Sequence, residues 1–166
     1  MGGLKNIDGI RILSPSIDEQ GGRIVIRGVL DNNFLSNIAI PDYQRELVKN
    51  KIYWGLVNVF DERAQHLNGK KSCVPDVTLA CREYEDYEID SDSSVLLPRA
   101  KVYLVDGLQR VSALLHARQL HFEDSTEPFK ANLGCIVHLN TSIEFEREMF
   151  KNLNTNHTSV AADVIL

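Results

Sequence analysis

Asp106, Gly107, Gln109 and Arg110 crowd into five consecutive positions, where an apolar, β-branched run (101–105) hands over to a helical pattern (108–120). Part of this is local chemistry. Asp106 is suited to cap the helix by accepting the Gln109 backbone N–H, and Gln109 can reach back to the Asp106 N–H, which is the reciprocal arrangement of a capping box. Gly107 lets the chain turn sharply. Capping leaves Arg110 unexplained, since a cation in the first turn opposes the helix dipole by up to about 1 kcal/mol. Two readings account for it. An anion sits at the helix end, where backbone N–H groups favour phosphate and the guanidinium fork matches its oxygens, or Arg110 pairs with Asp106 or another carboxylate.

Strands and helices must hold that corner in place. Residues 10–13 and 22–30 read as strands by alternation, with Ser14, Pro15 and Gly21-Gly22 as turn residues between them. A helical turn is expected over 34–41 and a long helix over 45–66, its apolar face formed by Val48, Ile52, Leu56, Val59 and Phe60 and its end set by Asn68-Gly69. Further strands are expected over 72–82, 101–105 and 133–139, and helices over 108–120 and 142–154. Ser142 is a cap for the last, and Phe145, Met149, Phe150 and Leu153 form its apolar side. The tail SVAADVIL is apolar enough to begin another helix, which suggests truncation before a C-terminal helical region. The alternation of strands with helices predicts an α/β (α+β) fold: a single domain over 1–166, a mixed sheet with flanking helices.

Composition narrows the function classes. With 43% hydrophobic and 25% charged residues, the chain reads as an ordinary globular protein able to bury a core. A net charge of −5 argues against a general nucleic-acid coat, which needs many Lys and Arg contacts to phosphate. Three cysteines (Cys73, Cys81, Cys135) without zinc-knuckle spacing or a leader pattern suit a reducing, cytoplasmic setting. The apolar runs are too short for a membrane span. His116 and His121 are five apart, off the spacing that places two ligands on one helical face. His157 falls in the segment NTNHTS, expected as a loop. Six carboxylates over 83–92 read as a solvated insertion rather than a metal loop. There is no Walker-type phosphate loop and no nucleophile elbow.

Three segments in order, IPDYQRELV (40–48), YLVDGLQRVSALLHA (103–117) and FKNLNTNHTSVAADVI (150–165), resemble the ParB/sulfiredoxin-like superfamily. Within it they look most like the DGQHR branch, which includes the DndB proteins of DNA phosphorothioation systems and the GmrSD-type modification-dependent restriction proteins. The resemblance covers the chain from about residue 40 onward and implies a ParB/sulfiredoxin-like fold. It also implies a nucleotide site built from Asp106, Gly107, Leu108, Gln109 and Arg110, the early Gln44 and Arg45, and the late Asn154. Asp106 would be the catalytic carboxylate and, through Mg, the metal ligand. The chain departs from the family at Leu108, where relatives commonly carry Gln. Sulfiredoxin chemistry needs a cysteine in the box, and there is none. The implied function is a nucleotide-binding, candidate NTP-hydrolysing or ParB-like nuclease domain in DNA modification, control of DNA sulfur modification, or restriction and phage defence. Its partners would be DNA, modified DNA included, bound weakly by this domain alone, and other DNA-modification or defence proteins. The alternative is a non-catalytic DNA- or protein-binding regulatory module on the same fold.

Overall fold

The computed structural model describes residues 9–42, 54–64, 74–90 and 92–165, with side chains omitted for 62–64 and beyond 154. Among the described residues, eight strands form one mixed sheet: β1 (Gly9–Gln20), β2 (Arg23–Leu30), β3 (Ile38–Ala39), β4 (Val77–Arg82), β5 (Glu88–Ile89), β6 (Val95–Pro98), β7 (Val102–Asp106) and β8 (Gly134–Thr141). Their spatial order is β3-β7-β4-β8-β2-β1-β6-β5. The β4–β8 and β3–β7 pairs are parallel and the remainder antiparallel. Among the described residues the sheet is joined by three α-helices, α1 (Trp54–Ala64), α2 (Leu108–Asp124) and α3 (Ile143–Ile165), and by a short 3-10 helix over Asn32–Asn37. Among the described residues no helix is long and apolar enough to cross a membrane.

The expected β1–β2 pair forms, but the turn between its strands is smaller than the sequence suggested. Ser14 and Pro15 lie inside β1, at an irregularity in its register between Leu13 and Ser16, with Ser14 at φ 50°. A bulge tolerates a proline that has no N–H for the ladder. Gly21 and Gly22 alone turn the chain, at φ 58° and 80°, as a two-residue hairpin of the twist-matching type requires.

Strand alternation sorts the two sheet faces. Leu79, Cys81, Val102, Leu104, Val137 and Leu139 are fully or almost fully buried and belong to the main core, which also takes in Val57 and Phe60 of α1 and Val111, Ala113, Leu114 and Ala117 of α2. Of the expected apolar face of α1, Phe60 is fully buried and Leu56 packs against the core, with Val57 added to it. Val57 is buried while Leu56 and Val59 are half-buried, and Val48 and Ile52 lie outside the described residues. On the opposite face α3 packs by β7, and its Phe145 ring lies near His138 of β8. Ser142 caps α3 as expected, its Oγ accepting the Phe145 N–H at 3.1 Å.

Three expectations are corrected. The strand expected from residue 72 begins at Val77, and β6, fully buried, was not foreseen. The supposed loop carrying His157 and the supposed separate tail helix are one continuation of α3 to Ile165. The helix opens within the apolar stripe that the sequence already showed, and no residue between Asn154 and Ser159 is a Pro or Gly to stop it.

Candidate functional site

The signature residues sit at the corner joining β7 to α2, but not as a capping box. Asp106 is the last residue of β7, and the N-cap is Gly107, in the left-handed region at φ 111°. No side chain caps α2. The reason is local. Gly107 is wedged against the Val77 side chain, where a Cβ would collide, and its left-handed backbone moves Asp106 one position behind the cap. The Asp106 carboxylate turns instead to Arg110, one helical turn on, at 3.1 Å.

Arg110 is thus deeply engaged. Its Nη1 donates to the carbonyls of Pro75 and Asp76 at 2.8 and 2.7 Å, and its Nη2 to Asp106 Oδ2. The guanidinium ties the chain entering β4 to the end of β7 and the first turn of α2. This is the ion-pair reading of Arg110, with two carbonyls added. Gln109 is less satisfied: its Nε2 is buried with no hydrogen-bond partner among the described residues, an arrangement native proteins usually avoid unless a ligand or water completes it. Leu108 is half-buried and packs against the core.

The remaining expected site residues are not gathered at this corner by any contact described. Gln44 and Arg45 lie outside the described residues. Asn154 lies within α3, its Nδ2 donating to the Phe150 carbonyl at 2.7 Å. Three carboxylates of the acidic segment are engaged within the protein: Asp90 pairs with Arg11 at 2.8 Å, Glu85 accepts from Asn140, and Asp92 accepts from the Ser94 N–H and hydroxyl. Those bonds from Ser94 hold the Asp92 carboxyl below its ordinary pKa. Among the described residues there is no group of three or more His, Cys, Asp or Glu able to hold a metal.

A second polar centre, which sequence reasoning missed, lies at the other end of the sheet. Glu146 is completely buried in the first turns of α3. It accepts from Arg82 Nε and Nη2 at 2.7 and 3.0 Å and from the Thr141 hydroxyl at 3.0 Å. Arg82 in turn lies over the Tyr103 ring, 3.7 Å from its centroid. The signal was present: Glu146 stands three and four residues before Met149 and Phe150, on the apolar side of its helix. Burial, together with the Glu146 charge, pushes the neighbouring Cys81 thiol up to about 12.

Compared with family models, curated proteins and solved structures, the chain finds no match.

Proposed function

We propose that this chain is a ParB-like module of the DGQHR kind that binds nucleotide phosphates at the amino-terminal end of α2 and serves DNA modification, its control, or phage defence. The observation that carries the reading is the open end of α2. Its first-turn N–H groups have no side-chain cap, and the buried Gln109 Nε2 has no acceptor among the described residues. A phosphate oxygen supplies the missing acceptor, and the helix dipole favours its charge. Arg110 acts here as a brace that fixes the corner, its Nη atoms being directed into the protein. Asp106 would have to release Arg110 to hold a divalent ion, so the arrangement does not fit Mg and no step is assigned to it. The rival reading, a non-catalytic regulatory module, draws on the same Arg110 engagement, because a corner braced by its own carboxylate and carbonyls needs no ligand for its form.

Calorimetric titration of ATP, GTP and CTP separates the two. At least one nucleotide should bind the parent, bind Gln109→Leu at least fivefold more weakly, and bind equally in Mg²⁺ and EDTA. Loss of binding in EDTA would restore the metal role of Asp106. A parent that binds none of the three, yet retains phosphorothioated DNA over plain DNA, would establish the regulatory module instead.

A further inference from the structure

A cavity of about 710 Å³ lies away from the α2 corner. It lies at the start of β7, five strand residues and about 17 Å away, where the parallel strands β4 and β8 also end. Crevices outside the carboxyl ends of parallel strands are where open α/β sheets take their ligands, and the volume lies within the range of small-molecule sites. A second cavity, about 410 Å³, shares Arg99, Lys101 and Tyr103 with it. Arg99 and Lys101 therefore form a cationic ridge between the two. Both are exposed, and among the described residues neither has an ion-pair partner. Among the described residues no carboxylate lines the smaller cavity. Glu83 and Glu144 line the larger one from the end of β4 and the first turn of α3, without an ion pair to the ridge.

We infer that this cleft binds a sugar phosphate, with the phosphate on Arg99 and Lys101 and the sugar hydroxyls donating to Glu83 and Glu144. Two cations without an ion-pair partner among the described residues match a phosphate dianion. Carboxylates that face a cation ridge without pairing to it are acceptors suited to hydroxyl groups. The Arg82–Glu146 pair, stacked on Tyr103, gives the cleft a rigid floor. The inference is independent of the α2 corner.

The test titrates ribose 5-phosphate, AMP, inorganic phosphate and unphosphorylated ribose into the full chain at fixed ionic strength, followed by amide NMR. Ribose 5-phosphate should shift the amides of Arg99–Lys101, and ribose should not. Tight AMP binding at the same amides would identify a nucleotide as the source of the sugar phosphate, whereas ribose 5-phosphate binding without AMP would identify a free sugar phosphate. The double variant Arg99→Asn/Lys101→Gln should bind at least tenfold more weakly while melting at the parent temperature; Asn is chosen because Arg99 has φ 60° and Asn tolerates that region. The control Arg147→Gln, which removes an exposed cation outside the cleft, should bind as the parent does. Shifts confined to Gly107–Arg110, undiminished affinity in the double variant, binding of inorganic phosphate as tight as the sugar phosphate, or no binding at all would each overturn the inference.

Discussion

Arg110 shows how differently a residue reads alone and in place. By position it is a cation misplaced at a helix start. In the fold its fork joins three segments through three hydrogen bonds, with its side chain 16% exposed. The ion pair with the part-exposed Asp106 adds no more than about 1 kcal/mol, and the bonds to the two carbonyls supply the rest. Arg110→Ala should therefore cost roughly 1.5–3 kcal/mol by urea denaturation, the range for a hydrogen bond to a charged group. Arg110→Lys should recover little of it, because an ammonium cannot reproduce the fork. Loss of nucleotide binding without loss of stability would instead mark Arg110 as a direct ligand. At Gly107, a left-handed backbone and the Val77 contact both oppose a side chain. Gly107→Ala should cost of the order of 1–3 kcal/mol, read as a lower thermal midpoint.

At the scale of elements, the sheet and α3 meet over a face that mixes apolar and charged groups. Glu146 is wholly buried against Arg82, whose side chain is 26% exposed. Glu146→Leu would remove the carboxylate paired with Arg82 and should destabilise by about 3 kcal/mol, as breakage of a buried pair does; chemical denaturation measures it. On the same face, partial burial of His138 and the cations of Arg27 and Arg23 depress its pKa, while the Phe145 ring tilts over it from α3. The folded state thus favours the neutral imidazole. As pH falls through the unfolded value near 6.5 toward the lower folded value, the unfolded chain gains a proton first and stability declines. His138→Phe should flatten that part of the stability–pH curve. The strand thiols behave alike: desolvation, followed by the Asp76 charge, pushes Cys135 up to about 12, as burial does for Cys81. Because thiolate is the reactive form, both should resist alkylation at pH 8 until the protein is unfolded.

For the whole molecule, charge sets the expectation for nucleic acid. At a net charge of −5, duplex DNA should bind weakly and release steeply as salt rises, since the affinity comes from few phosphate contacts and the counterions they displace. A binding isotherm measured from 50 to 200 mM salt checks this, and tight, salt-insensitive binding to unmodified DNA would contradict it.

The sequence by itself determined the mixture of strands and helices, the β1–β2 pair, the Ser142 cap and the handover from β7 to α2, because each rests on periodicity or turn chemistry within a few residues. It also singled out residues 106–110 as a polar corner with two open readings, a phosphate site or an ion pair. Tertiary structure alone decided what those residues do. Whether Asp106 caps α2 or holds Arg110 depends on Val77, some thirty positions earlier in the chain, pressing against Gly107. The partner of Glu146 comes from β4, 64 positions away. The cleft at Arg99 and Lys101 exists only because the parallel alignment of β4 and β8, with β7 antiparallel to β4, brings three distant chain ends together. Pairings across such sequence distances are fixed by packing of the whole sheet, and local patterns of residue type carry no record of them.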